Sequence, residues 1–303
     1  MTPQVEPHHS TAHITLHTPL IPAINVWKIY LDDQGNSPHT IKAFTADLNL
    51  LAAYLQPDCT LGNITTTDLN NYLNWMQKGR GVPCSPKTLA RRITSLKSFF
   101  RWLHQHGVLL LDPAEKVLQQ SVLSPLPAVL STQELQTILQ TAEKHIKSTP
   151  ADTRYYALAA LLLSTGIKKS ECLTLTLNHV DLESPSAPLL FVRYASPQHR
   201  YKERKIPLPA SWVAIFPEYK AQYQLIDRLF PWSPRRLEYL LEDLNKEAGL
   251  DKHLSFEMCR WTCALADLLS GMEADKIRQK LGISKIQWRE VSMKLRQLTG
   301  EEG

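Results

Sequence analysis

The chain has 303 residues, 43% hydrophobic and 21% charged, which suits a globular protein with two buried cores and excludes a disordered or fibrous one. Its formal net charge of +5 is compatible with a polyanionic partner but too small to identify one. Five cysteines (Cys59, Cys84, Cys172, Cys259, Cys263) lack CxxC spacing, and no apolar run is long enough for a leader or a membrane span. These features predict a reduced, cytoplasmic protein with no membrane partner. Cys259 and Cys263 fall on one helix face without further ligands and read as core residues, so no metal and no other cofactor is expected.

Residues 1–20 carry His8, His9, His13 and His17 without apolar periodicity and are expected to form a flexible arm. Four amphipathic helical segments follow over 21–110. The first spans about Pro22–Gln34, with Val26, Ile29 and Tyr30 on one face. A second opens at the cap-like Ser37-Pro38 and carries Ile41, Phe44, Leu48, Leu51 and Leu55. The third starts at Thr66-Thr67-Asp68. A fourth opens at Ser85-Pro86 with Leu89, Ile93, Leu96, Phe99, Phe100 and Leu103, and stops at Gly107. Residues 111–129 are rich in proline and read as a linker to a second domain, 130–303.

In that second domain, Ser131 and Glu134 have capping-box spacing, and Thr153–Ser164 is apolar nearly all round, as a buried helix requires. Leu189–Tyr194 and Arg204–Leu208 are the only strand-like runs; they flank a basic turn, Ser196–Glu203. The remainder, from about Pro234, has helical character.

The fourth helix carries Lys87, Arg91, Arg92, Lys97 and Arg101 opposite its apolar stripe, with Ser85 and Thr88 at its N-terminal end. Such a face can set cations and free backbone N–H groups against phosphates, giving salt-dependent affinity with little sequence information. The alternative is a solvated basic face. Thr40 and Lys42, at the start of the second helix, join the candidate DNA-binding residues.

The order of these segments carries a resemblance. Ser37-Pro38-His39-Thr40 with Asp47-Leu48, Ser85-Pro86-Lys87-Thr88 with Arg91-Arg92 and Phe99-Phe100, and Asp112-Pro113-Ala114 resemble the core-binding domain of the tyrosine recombinases, or phage integrases, of Xer-like type. Leu130-Ser131-Thr132-Gln133-Glu134-Leu135, Ser164-Thr165-Gly166-Ile167-Lys168-Lys169-Ser170-Glu171 and Lys202-Glu203-Arg204-Lys205-Ile206-Pro207-Leu208 are similar to landmarks of the catalytic domain. The resemblance runs from about residue 22 to 295. It implies a mainly α (α+β) fold: an N-terminal SAM-like helical bundle, then a mostly helical catalytic-type domain with a small β-hairpin sheet. It also implies two domains closing as a clamp on double-stranded DNA.

In that family an Arg–Lys–His–Arg–His/Trp pocket holds the scissile phosphate and a tyrosine attacks it, without metal. Here the first arginine falls on Lys168, a point charge that cannot make the planar two-pronged contact. The hairpin lysine falls on His199, with Lys202 or Lys205 as alternatives. The H-x-x-R motif appears as Glu257-Met258-Cys259-Arg260, which retains Arg260 and replaces the histidine by Glu257. Arg260 then serves either as a phosphate contact or as an ion-pair partner of Glu257. The family's L-G-H reads Leu281-Gly282-Ile283, so Ile283 removes a hydrogen-bond donor. At the nucleophile position stands Ser292, and the last tyrosine of the chain is Tyr239.

The resulting expectation is a DNA-binding relative of the recombinases that binds without cutting. Its expected partners are duplex DNA and, through the C-terminal segment Lys280–Leu298, another copy or an active recombinase, in the cytoplasm at the nucleoid. The alternatives are an active recombinase with Ser292 or a partner subunit supplying the nucleophile, and a protein-interaction scaffold that has lost DNA affinity. Trp261 and Trp288 read as core aromatics.

Overall fold

The computed structural model describes residues 13–118, 125–184 and 187–300, and these fall into two compact units that divide between Pro125 and Leu126. In the first unit four helices follow in order: α1 (Leu20–Asp33), α2 (Pro38–Tyr54), α3 (Thr66–Asn74) and α4 (Pro86–Gln105). The starts of α2, α3 and α4 obey local chemistry. Ser37 caps α2 and Ser85 caps α4, each accepting from the backbone N–H three residues on, with proline in the first turn where its missing N–H costs nothing. A reciprocal capping box between Thr65 and Asp68 starts α3, which closes in a single π-turn, Trp75–Gly79. The apolar stripes converge on fully buried Trp27, Tyr72, Phe99 and Phe100. Trp27 stacks on Phe44 and meets Phe99 edge-on, which joins α1 to both α2 and α4.

Residues 13–20, expected within a flexible arm over 1–20, are packed on the first unit. Ile14 is buried in the first core, and the Gly62 N–H donates to the Leu16 carbonyl at 2.7 Å, so residues 13–20 are tied down by long-range backbone bonds that periodicity does not reveal. His8 and His9 lie outside the described residues, and His13 and His17 are exposed. The start of the expected linker, 111–129, also belongs to the first unit: Ala114 and Val117 pack in its core, and the Thr66 hydroxyl donates to the Pro113 carbonyl at 2.8 Å.

The second unit begins with α5 (Thr132–Lys147), opened by the Ser131–Glu134 capping box, and α6 (Arg154–Thr165), the buried helix expected from its composition. Around α6 pack α5, α8 (Ala210–Gln222), α9 (Pro234–Glu247) and α10 (Phe256–Leu269). Between α6 and α8 come the short α7 (Lys169–Thr174) and an antiparallel sheet of order β1 (Val180–Asp181), β2 (Leu189–Val192), β3 (Arg204–Pro207). Two strands were expected and a third, two-residue one completes the sheet; so short a run has no alternation to read. Leu190, Val192 and Ile206 face the core, while Phe191 pairs with Lys205 on the other face. The basic turn expected over Ser196–Glu203 is a 3-10 turn, Pro197–Lys202.

The chain ends in α11 (Ala274–Leu281) and α12 (Lys285–Thr299), which form a small satellite core with α10 through Ala264, Ile277, Leu281, Ile283 and Leu295. Trp261 and Trp288 pack against it, as core aromatics do, and Leu295 seats α12 on its own chain. At the end of α11, Gly282 is left-handed (φ +58°), and a Cβ there would stand 2.6 Å from the Arg204 Nη1. Gly282→Ala is therefore expected to lower unfolding free energy by about 2 kcal/mol or more, from αL strain plus displacement of a held guanidinium, as read by urea denaturation.

Candidate functional site

The second unit gathers a cationic cluster around one buried carboxylate. Glu171, on α7, is 3% exposed and receives the Arg204 guanidinium in two-pronged fashion, Nη1 and Nη2 each at 2.9 Å. The Tyr194 hydroxyl, just beyond β2, donates to the same carboxylate, and so does the Lys168 backbone N–H at 2.8 Å. Burial pushes the Glu171 carboxyl upward, but Arg204, Tyr194 and Lys168 outweigh it and hold the group at about 2. Arg204 also donates through Nε to the Lys280 carbonyl, so one side chain joins α7, β3 and α11.

Arg260, on α10, donates from one Nη to the Gly166 carbonyl and from the other to the Leu281 carbonyl. Burial lowers its guanidinium to about 10, against the pull of Glu171, and it stays charged at neutral pH. Lys168 sits at the N-terminus of α7. Desolvation depresses its ammonium to about 8; Glu171 pulls it up, while Arg260, Lys202 and Arg204 push it down. These four cations thus sense one another around a single carboxylate.

The positions expected to matter distribute unevenly. Lys168, Lys202 and Arg260 come together. His199 is exposed in the turn and touches the cluster only through its edge-on contact with the Tyr194 ring at 5.8 Å. Lys205 lies over the Phe191 ring on the outer face. Glu257 is exposed in the first turn of α10, and no hydrogen bond or ion pair joins it to Arg260 among the described residues; Arg260 spends its donors on carbonyls instead. The expected Glu257–Arg260 pair is therefore corrected. Ile283 is buried hydrocarbon in the satellite core. Ser292, on α12, donates its hydroxyl to the Arg289 carbonyl of its own helix at 3.1 Å. Sequence reasoning missed Arg204, Glu171 and Tyr194 as site members. A signal existed for Glu171, three residues after Lys168 as in a capping box, but none marked Tyr194.

On the first unit, α2 and α4 cross where the Ser95 hydroxyl donates to Asp47 at 2.9 Å, and one turn nearer both N-termini Arg91 reaches the Ala43 carbonyl at 3.1 Å. Asp47 is buried and takes Arg91 at 2.6 Å and Arg92 at 3.4 Å. Only 12% of the Arg92 side chain is exposed, and its Nη1 points at the Cys84 sulfur at 3.2 Å. Arg92 is thus turned inward rather than out from a basic face, because the buried Asp47 charge needs it. Ser85 and Thr88 bond to each other as a cap, Thr40 does the same with Ser37, and Lys97 reaches the Glu115 carbonyl. Lys42 and Lys87 are exposed, with no ion pair among the described residues.

The architecture defines a class: a SAM-like helical unit followed by a catalytic-type recombinase fold. Residues 24–107 match the model of the phage integrase N-terminal SAM-like domain, and residues 128–290 match that of the phage integrase family. The chain belongs to the phage integrase family of tyrosine recombinases. It is 25% identical over 268 residues to tyrosine recombinase XerD of Listeria innocua serovar 6a, covering 84% of this chain and 87% of that one. With tyrosine recombinase XerC of Lacticaseibacillus casei it shares 27% identity over 274 residues, 86% and 89% of the two chains. The fold is shared with the XerH site-specific recombinase solved on palindromic difH after cleavage (TM-score 0.71, 17% identity, 93% and 82% coverage). It is also shared with a lambda integrase tetramer solved on a Holliday junction (TM-score 0.70, 15% identity, 94% and 81% coverage).

Two outcomes are expected from this geometry. Glu171→Gln should cost about 3 kcal/mol at neutral pH, since it strands a buried guanidinium. The folded-state carboxyl titrates near 2, below its unfolded 4.5, so its stabilisation is present above pH 4.5 and fades as pH falls toward 2; urea midpoints of the two proteins should converge there. Arg92→Ala should lower unfolding free energy by about 1–3 kcal/mol, since it removes a largely buried side chain and one of the two cations on Asp47, which keeps Arg91 and Ser95, while Lys87→Ala stays within about 0.5 kcal/mol, as thermal melts will report.

Proposed function

We propose that this protein binds double-stranded DNA and does not cut it unaided. The observation that carries the reading is the composition of the site: a cluster of Lys168, Lys202, Arg204 and Arg260 remains, while no tyrosine follows Tyr239 and α12 offers Ser292. The cations supply attraction for a phosphate. Alignment suffers, because Lys168 is a point charge and Arg260 already donates to two carbonyls.

A nucleophile is missing. The Ser292 hydroxyl is far less acidic than a phenol and no base is bonded to it. Tyr194 does enter the cluster, but burial and the neighbouring Glu171 charge push its phenol well above the ordinary value, the opposite of activation. Losing one general acid or base costs about two to four powers of ten in rate, and here several members change together.

In the first unit, Lys42, Lys87 and the half-exposed Arg91 supply phosphate contacts in this reading; the hydroxyls of Thr40, Ser85 and Thr88 shape the starts of α2 and α4, whose N–H groups face the backbone. Arg92 contributes by holding Asp47 and Lys97 by position on the same helix. The related structures solved on DNA include dimers and tetramers, and this protein joins another copy or an active recombinase on DNA, at the nucleoid. No described helix is long and apolar enough to cross a membrane.

The test is retention of fragmented genomic DNA on the immobilised protein, washed natively and then with denaturant. DNA held through the native wash and released by denaturant is the expected outcome. DNA that survives denaturant means a covalent link and an active enzyme; no retention at low salt means the scaffold reading.

A further inference from the structure

The turn between β2 and β3 presents an aromatic ring to solvent in a cationic setting. Tyr201 is 69% exposed, on a 3-10 turn whose other side chains include exposed His199 and Arg200, and the Lys202 ammonium stands 5.1 Å from its ring centre. Behind it on the outer face of the sheet, Phe191 carries Arg193 at 5.2 Å and Lys205 at 5.0 Å. The ring lies on the rim of a cleft of about 750 Å³ that runs between the turn and α11 and is lined by Lys202, Lys205 and Lys276. None of the hydrogen bonds that build the Glu171 cluster involves the Tyr201 side chain, so the fold does not use it there.

We propose that Tyr201 is a stacking platform for a nucleobase that has left the duplex stack, with the surrounding cations holding the adjacent phosphates. A largely exposed ring with the Lys202 ammonium beside it fits this occupant in both parts: the ring takes a base of any identity, and the charge takes its backbone. Intact duplex offers groove edges and phosphates but no free base face. The matching partner is therefore bulged, branched or otherwise distorted DNA, the form in which bases are splayed. An acidic peptide would satisfy the charges and leave the ring without a planar partner.

The proposal rests on the DNA-binding reading above, and the experiment separates the two. Full-length wild-type protein, Tyr201→Phe and Tyr201→Ala are titrated against a short labelled duplex and against the same duplex carrying a two-nucleotide bulge with 2-aminopurine. Wild type and Tyr201→Phe are expected to favour the bulged DNA about tenfold and to change the 2-aminopurine fluorescence. Tyr201→Ala should lose that preference and the fluorescence change while keeping duplex affinity. An exposed side chain at this turn leaves folding intact, and matching thermal melts of the three proteins establish it. If Tyr201→Ala retains the preference, or weakens both DNAs equally, the stacking role is wrong; so is it if wild type binds duplex and bulge alike. Wild type that binds neither DNA at low salt defeats the DNA-binding reading itself.

Discussion

Glu171 is a carboxylate placed almost wholly out of water, and much of the second unit's site is arranged to make that tolerable. A lone buried carboxylate would be expelled or protonated; this one meets the planar fork of Arg204 and the Tyr194 hydroxyl, and also accepts the first N–H of its own helix. Because Arg204 must lie flat against the carboxylate, its remaining donor is aimed at the end of α11, and the residue beneath the guanidinium has no room for a side chain. Gly282 follows from that contact as well as from its left-handed backbone. Through one ion pair, the start of α7, the hairpin and the C-terminal helices become one body.

The same arrangement limits what the site can do for a phosphate. Guanidinium groups are effective clamps only while their N–H groups are free, and here four of the five of Arg204 are taken by Glu171 and the Lys280 and Lys202 carbonyls, and two of the five of Arg260 by Gly166 and Leu281. The charge persists, but part of the directional bonding is committed. Lys168 and Lys202 add two ammonium charges, and the partial desolvation of Lys168 means that its charge fades as pH rises past about 8.

Asp47 plays the corresponding part in the first unit. Its buried carboxylate draws in Arg91, Arg92 and Ser95, tying α2 to α4. Part of the basic stripe on α4 is thereby spent on structure. A count of cations along the helix overstates the positive face, since charges at neighbouring positions differ in whether they face water or a buried partner.

The helices themselves were legible in the sequence, because their causes are local. Ser37, Thr65, Ser85 and Ser131 each satisfy backbone donors within three residues, proline follows where its ring is tolerated, and apolar spacing near 3.6 marks the buried face. The order of these punctuated segments also carried the family resemblance, on which the expectations for Lys168, Arg260 and Ser292 rest. Tertiary structure alone decided that Arg92 turns inward, that Glu257 stays in solvent away from Arg260, that Tyr194 enters the site, and that residues 13–20 are tied to the first core. Each of these depends on a partner tens of residues away or on which face of an element meets water. Local spacing says nothing about either, because the energy that selects among such long-range pairings is that of burying charge and backbone groups with their needs met.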